Sequence, residues 1–320
     1  MTDMMEPLTA NATMKAISQD ELGGPDVLRL VTLPTPEPGI SEILVRVHAA
    51  SVNPIDAANR ETGVFLGQPP FVLGWDVSGT VEAVGLGVTL FQPGDEVFGM
   101  LPFPRGHGAY AEYAVGPTRA FVRKPDSLDH VQAAAIPMVG LTAWQSLVDT
   151  AGVGAGCRVL IIGAAGGIGH LAVQIAKARG AHVTALTSAE DAEFVRALGA
   201  DEVVEYTGTD FTQVVSDQDV VLDVVGGDYP GRALDVLKRG GTLVSTQPPS
   251  LAPVADAAAE RGIRLAGILV EADDVGMSAL ADLAKAGKLV PNVAATYPLV
   301  QAGAAESVKH GPGKVVLTIT

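Results

Sequence analysis

Val159-Leu160-Ile161-Ile162-Gly163-Ala164-Ala165-Gly166-Gly167-Ile168-Gly169 is the stretch on which the reading of this chain turns. Four apolar residues make a short buried strand, the glycines make a turn, and the alanine-rich run to Ala178 reads as a helix. Glycine at such a turn lets the backbone approach a pyrophosphate and lets the helix pack on the strand. The helix N-terminus adds free N–H groups and about half a positive charge. Against the spacing G-x-G-x-x-G the first glycine is replaced by Ala164, while Gly166 and Gly169 are kept. The strand before the turn and the helix after it restore the assignment. Ala165, Gly166, Gly167, Ile168 and Gly169 are therefore expected to cradle a dinucleotide. The plainer alternative is a tight turn that binds nothing.

Downstream, β-branched runs recur at 182–186, 202–205, 220–224, 242–245 and 264–270, most of them separated by helical stretches; 205–220 is the least helical connection. Parallel neighbours need crossovers of a dozen or so residues, so this alternation predicts an α/β domain with a doubly wound parallel sheet over 138–290. Upstream the pattern differs. Runs at 27–32, 43–50, 80–84 and 110–115, broken by turn residues, read as an all-β domain over 14–137. Asn53 followed by Pro54 predicts a short helix there, with Asn53 as its cap. A long helix is expected through 132–148. Strand character returns at 293–297 and 314–320 around a helix near 301–309, so residues 291–320 are expected to rejoin the first domain and leave the nucleotide domain as an insert. Residues 1–13 read as a flexible polar leader, and the Asn11-Ala12-Thr13 triplet carries no meaning without secretion.

The bulk numbers exclude several classes. At 320 residues two domains are expected, and 48% hydrophobic with 18% charged residues suits a packed protein. A net charge of −15 opposes nucleic acids and anionic membranes. Cys157 is the only cysteine, so no intrachain disulfide or multi-thiolate metal site can form. No run approaches the roughly 18 apolar residues of a membrane span, and the first residues lack a signal-peptide pattern. A soluble cytoplasmic protein is expected. There is no G-x-S-x-G elbow for a serine hydrolase.

The run at 182–186 continues into Thr187 and Ser188, with no carboxylate of the kind that holds the ribose hydroxyls of NADH. Ser188 as a donor, with Tyr206 after the next run, tilts the expectation to NADPH. Glu190 and Asp191 pull towards NADH if they face a 2′-phosphate, or simply open the next helix.

Across Met14 to Thr320 the chain resembles the zinc-independent quinone oxidoreductase branch of the medium-chain dehydrogenase/reductase superfamily. The resemblance is carried by Ala50-Ser51-Val52-Asn53-Pro54-Ile55-Asp56, Gly74-Trp75-Asp76-Val77-Ser78-Gly79-Thr80-Val81-Glu82-Ala83-Val84-Gly85 and Pro93-Gly94-Asp95-Glu96-Val97. It continues in Gly108-Ala109-Tyr110-Ala111-Glu112-Tyr113, Gly140-Leu141-Thr142-Ala143-Trp144, the glycine turn, Leu198-Gly199-Ala200-Asp201 and Gly313-Lys314-Val315-Val316-Leu317. It implies a split GroES-like barrel domain for substrate, a Rossmann domain for cofactor, a cleft between them, and a homodimer through an edge strand, for which 264–270 is the candidate. It also places Asn53 beside the nicotinamide and Thr142 in contact with it; each has a plainer role, as a helix cap and as a hydroxyl bonded back to its own helix. Where zinc-containing relatives carry a catalytic cysteine this chain has the Asn53 stretch, and where they carry a histidine after glycine it has Trp75; the four-cysteine zinc lobe is missing. A tyrosine found in several relatives is here Ala58. Asp56 is weighed as a substrate-side group, where its charge would oppose the charge being made, against an expected salt bridge with Arg60; Tyr110 and Tyr113 are expected to pack in the core, with a substrate contact as the alternative, and Cys157 to be inert.

Without a Lewis acid, reduction of a simple aldehyde lacks stabilisation for the developing alkoxide. A quinone or an α,β-unsaturated carbonyl spreads that charge over a conjugated oxygen, so positioning two flat partners suffices. The expected activity is thus metal-free, NADPH-dependent reduction of such a small molecule, with Asn53 on the substrate side. Cofactor contacts are expected from Asn53, Thr142, Ala165 to Gly169, Ser188, Tyr206, Val225 and Ser245. Two rivals stand beside this: an enoyl-thioester reductase of polyketide type, and an NADP(H)-binding protein that is catalytically idle and serves a structural or redox-sensing role.

Overall fold

The computed structural model describes residues 12–105, 108–308 and 310–319. In chain order it opens with β1 (Thr13–Gln19), β2 (Arg29–Pro34), β3 (Glu42–Val52), α1 (Pro54–Thr62), β4 (Phe71–Val72), β5 (Asp76–Val84), β6 (Glu96–Met100), β7 (Tyr113–Pro117) and β8 (Phe121–Arg123). The middle of the chain forms α2 (His130–Ala134), α3 (Pro137–Trp144), β9 (Arg158–Ile162), α4 (Gly169–Ala178), β10 (His182–Thr187), α5 (Ala192–Ala197), β11 (Glu202–Glu205), β12 (Gln218–Asp223), α6 (Tyr229–Ala233), β13 (Leu237–Ser245), α7 (Ala255–Arg261), β14 (Arg264–Gly267) and α8 (Asp274–Lys285). It closes with β15 (Val293–Pro298), α9 (Ala302–Ser307) and β16 (Lys314–Thr318).

These elements form two compact units. One is the chain up to Lys124 with Ala295–Lys309 and Val315–Thr320; the other is Pro125–Ala294 with His310–Lys314. The first change of unit therefore falls at Pro125, earlier than the expected 137. Residues 125–137 are held in the second unit by α2, whose capping box joins Asp129 to Gln132, and by the Ser127 hydroxyl, which donates to Ala284 O at 3.4 Å. The long helix expected over 132–148 is broken in two. Pro137 has no N–H with which to continue α2, so it opens α3 instead, and a π-helical turn at Gln145–Thr150 ends the run. Of the expected leader, residues 1–11 lie outside the described residues, and Thr13 already belongs to β1.

In the first unit β3 is the centre of an antiparallel sheet of order β15-β16-β3-β5-β6-β8, with β7 also on β3; β2-β1-β4 form a second sheet. The C-terminal strand enters this unit by pairing Val315 with Val52 and Leu317 with Ala50. The run expected at 110–115 starts later than its tyrosines suggested: Tyr110 precedes β7, and Tyr113 opens it.

The second unit holds a six-stranded parallel sheet of order β11-β10-β9-β12-β13-β14. β9 sits between β10 and β12, pairing Val159 with both Val183 and Val220. Strands covered on both faces read as continuous apolar runs, and Val159 to Ile162 are buried throughout. The chain winds one way from β9 to β11 and the other way from β12 to β14, so the order reverses between β9 and β12. Ligands of such sheets bind at the carboxyl ends of the strands beside that reversal. Among the described residues no helix is long and apolar enough to cross a membrane.

Candidate functional site

The glycine turn leaves β9 at that reversal. Gly163 takes the left-handed φ of +83° that the turn needs, so its neighbour Ala164 can carry a buried methyl where the usual spacing has glycine. Gly169 is required for another reason: a Cβ there would lie 2.1 Å from Gly163 O, where helix meets strand. Gly163 and Ala164 both donate to Leu186 O at 3.1 Å, and Gly166 donates to Gly163 O at 3.2 Å. The N–H groups of Gly167, Ile168 and Gly169, by contrast, have no hydrogen-bond acceptor among the described residues. Three such amides at the start of a ten-residue helix are groups that could hold an anion.

What holds the turn in place was not foreseen. His170, fully buried, directs Nδ1 at Gly166 O at 3.0 Å, while its Nε2 lies 3.2 Å from the Asn292 N–H. An acceptor on one nitrogen and a donor on the other fix the neutral ring with its proton on Nδ1. Burial lowers its pKa to about 4, against the opposing pull of its bonds to the turn. Gly313 N–H donates to Ala165 O at 3.0 Å, Lys314 N–H to Asn292 O at 2.9 Å, and the Asn292 side-chain amide to Pro312 O at 2.6 Å. The carbonyls of Ala165 and Gly166 are thus drawn back into the protein. A histidine four residues after Gly166 on the buried face of a helix was the only local signal.

Around the turn, the strand ends bring the other expected residues together in the second unit. β10 ends at buried Thr187, and the Ser188 hydroxyl donates to Asp191 Oδ2 at 2.8 Å, so Asp191, which stands at the start of α5 without a side-chain bond to its first turn, puts a carboxylate beside Ser188. Tyr206, half-exposed, is tied to the end of β10 through its N–H on Thr187 O at 3.1 Å. At the end of β12, buried Asp223 organises two further candidates. Its Oδ1 accepts from Val225 N and Gly226 N, both at 2.9 Å, and its Oδ2 accepts from the Ser245 hydroxyl at 2.9 Å. Asp223 closes an apolar strand at 220–223, a position that could have marked it in the sequence. Thr142 lies on α3, which packs on α4; its hydroxyl donates to Met138 O at 2.7 Å, the plainer role weighed for it. Cys157 is half-buried in a turn where Gly154 N–H reaches its Sγ at 3.5 Å.

Asn53 belongs to the first unit, at the mouth of α1, where it and Asp56 form a capping box; Asp56 Oδ2 accepts from Asn53 N at 2.7 Å. Its side-chain amide donates to Asp76 Oδ2 at 2.8 Å, and the Ser51 hydroxyl donates to that same oxygen at 2.5 Å. Asp76 is fully buried and sets the direction of the Asn53 amide. The expected pairing of Asp56 with Arg60 does not occur. Asp56 Oδ1 accepts from Gly74 N at 3.2 Å, while Arg60, one turn further along α1, donates to Glu306 of α9 at 2.7 Å and to Glu61 at 2.9 Å. Asp56 and Arg60 point to different partners because the carboxylate is used in closing the helix start. Tyr110 fills the space beneath Gly74, whose φ of +96° and lack of Cβ leave room for the ring. Its phenol pKa is raised well above the usual value by burial, then by the nearby Asp56 and Glu306 carboxylates. Among the described residues no group of three or more His, Cys, Asp or Glu could hold a metal ion.

A family model of the alcohol dehydrogenase GroES-like domain matches residues 39–126, and one of zinc-binding dehydrogenases matches residues 198–317. NAD(P)H oxidoreductase RTN4IP1, mitochondrial, of Mus musculus is 36% identical over 87% of this chain and 82% of its own length. Quinone oxidoreductase of Homo sapiens is 31% identical over 95% of this chain and 97% of its own. The structure of the quinone oxidoreductase from Coxiella burnetii superposes with a TM-score of 0.89 at 36% identity, covering 97% of this chain and all of the other. With its GroES-like first unit, its doubly wound second unit and relatives that cover it almost end to end, the chain belongs to the medium-chain dehydrogenase/reductase superfamily, in the quinone oxidoreductase branch.

Proposed function

We propose that the protein is an NADPH-dependent reductase of quinones or α,β-unsaturated carbonyls that works without a metal. The observation that carries this reading is the set of unused amides of Gly167, Ile168 and Gly169 at the sheet reversal, a fit for the pyrophosphate of a dinucleotide. Ala165 to Gly169 would hold the phosphates, Ser188 and Tyr206 the adenosine ribose, and Val225, Ser245 and Thr142 the remainder towards the nicotinamide. The reduced nicotinamide supplies a hydride. Asn53, held by Asp76, orients the acceptor and donates to its oxygen, where the arriving charge is spread by conjugation. In the place of a cysteine ligand the chain offers an amide already bonded to a carboxylate, and in the place of a histidine it offers the Trp75 indole, whose N–H is bonded to Arg105 O at 2.6 Å. Neither is a zinc ligand. Cytoplasmic residence and a homodimer paired along β14, an edge of the parallel sheet, belong to the same reading.

A second reading, NADH in place of NADPH, is favoured by one observation: the Asp191 carboxylate at 2.8 Å from Ser188 Oγ would repel a 2′-phosphate bound there. Paired titrations with NADPH and NADH decide between them. Loss of the reduced-nicotinamide absorbance on adding a quinone or an enone, undiminished by a chelator, is the result expected. Binding of neither cofactor refutes the reading, and chelator-sensitive turnover refutes its metal-free part.

A further inference from the structure

The peptide that joins Gly166 to Gly167 lies between two glycines, neither of which has a positive φ. A Cβ at Gly166 would meet Gly163 O at 3.5 Å, and one at Gly167 would meet the flexible Lys314 side chain at 3.2 Å. Glycine at both places leaves the room a dinucleotide needs, and it also leaves this peptide free to turn over. In a planar trans peptide the C=O and the N–H point opposite ways. With Gly166 O directed into the protein, Gly167 N–H faces away from it and has no acceptor among the described residues. Turned over, the same peptide would put a carbonyl oxygen where the N–H stood, and an oxygen repels a phosphate.

His170 decides between the two orientations. Its backbone N–H already donates to Gly166 O at 3.0 Å as the chain enters α4, so that oxygen is satisfied without the side chain. A second donor, Nδ1–H, is nevertheless aimed at it, also at 3.0 Å, from a ring that is fully buried where a leucine would pack at lower cost. The ring is braced from behind by Asn292 N–H, which donates to Nε2 at 3.2 Å. One turn along α4, Gln174 grips Val290 in the same way, its Nε2 donating to Val290 O at 3.0 Å and its Oε1 accepting from Val290 N at 2.8 Å. Two side chains four residues apart therefore fasten residues 290–292 to the helix, and the fastened segment holds the imidazole against the turn. Ala165 O, the carbonyl before Gly166 O, accepts from Gly313 N–H at 3.0 Å, which anchors the turn at a second point.

We propose that His170 is a positioning residue for the cofactor: it locks the Gly166–Gly167 peptide with its N–H turned to the pyrophosphate of the dinucleotide, and itself touches neither cofactor nor substrate. This rests on the cofactor reading above. Without the ring, a molecule whose peptide has turned over binds only after turning it back, so the apparent affinity falls by the fraction of molecules that face the right way.

The sequence makes this one peptide visible by NMR. Glycine follows glycine at four places, Gly23-Gly24, Gly166-Gly167, Gly226-Gly227 and Gly240-Gly241. Whole protein made with glycine isotopically labelled at its carbonyl carbon and its nitrogen shows only those peptides when each N–H is correlated with the carbonyl before it. In His170→Phe the Gly166–Gly167 peak should move. The Kd for NADPH should rise at least about tenfold, the worth of a hydrogen bond to a charged group, while that for 2′-AMP, which lacks the pyrophosphate, stays within about twofold. His170→Gln should return both peak and affinity towards the wild type, because Gln174 shows that a glutamine amide on this helix reaches the carbonyl four residues back, His170 O at 3.0 Å. Should His170→Phe not fold, His170→Asn, whose amide is too short for that reach, should show the same losses. An unmoved peak, an unchanged NADPH affinity, or equal losses for NADPH and 2′-AMP overturns the positioning role. Failure of the wild type to bind NADPH refutes the cofactor reading instead, and the peak then tests the lock by itself.

Discussion

Acidification tests the neutral His170 directly. Its pKa of about 4 lies below the ordinary 6.5, so the folded protein excludes a proton that the unfolded chain accepts. Above 6.5 both states are neutral and stability is unaffected. As the pH falls below 6.5 the unfolded chain takes up its proton first, and stability is lost until about 4, where the folded ring also ionises. At about 1.4 kcal/mol per unit, the loss from this one side chain is about 2 kcal/mol at pH 5 and about 3 kcal/mol once both states are protonated. The assay is urea unfolding at pH 7.5 and 5.0 for the wild type and His170→Gln. Every other titrating group cancels in the double difference, so the variant should lose about 2 kcal/mol less than the wild type between the two pH values. The His170 ring signals in an NMR titration should likewise stay in the neutral position down to pH 5. Equal losses for the two proteins, or a ring that titrates near 6.5, would refute the assignment of Nδ1–H to Gly166 O and of Nε2 to the Asn292 N–H.

The remaining predictions concern packing, charge and the cofactor. Gly169→Ala places a methyl 2.1 Å from Gly163 O and 2.7 Å from Ala164 Cα, both backbone atoms that cannot swing aside, so it should cost at least tenfold in NADPH affinity by fluorescence titration and lower the melting temperature. Arg60 and Glu306 are a buried ion pair, with side chains 2% and 0% exposed. Arg60→Ala should therefore cost about 3–5 kcal/mol in urea unfolding, and the double replacement Arg60→Met, Glu306→Leu should cost less, since it leaves no lone buried charge. Asp191→Asn removes the carboxylate next to Ser188, and the ratio of NADPH to NADH affinity should rise several-fold in a paired titration; no change would show that Asp191 does not face the 2′-phosphate.

The sequence by itself determined those features whose causes lie within a few residues of each other. The apolar run of β9, the glycine turn and α4 were legible because burial on both faces, positive φ and helical spacing each leave a local mark. The same holds for Asn53 and Pro54 at the start of α1, for the alternation that makes the second unit a parallel sheet, and for the change from β to α/β pattern, although the change itself was placed a dozen residues late. Within short range, too, a continuous helical periodicity over 132–148 outweighed Pro137, whose missing N–H ends one helix and begins another.

The tertiary structure alone decided which polar groups meet. Asp56 and Arg60 are correctly spaced for a pair on one helix, yet Gly74 and Glu306 claim them, and Glu306 is 246 residues away from Arg60 in the chain. Asn53 reaches Asp76 across the β3–β5 pair, His170 reaches Asn292, and Gly313 reaches Ala165 because the chain returns past the glycine turn before entering β16. A buried donor or acceptor must find a partner, but which partner depends on the strand order and register that bring distant segments to bonding distance. Local spacing carries the first of these requirements and contains no trace of the second.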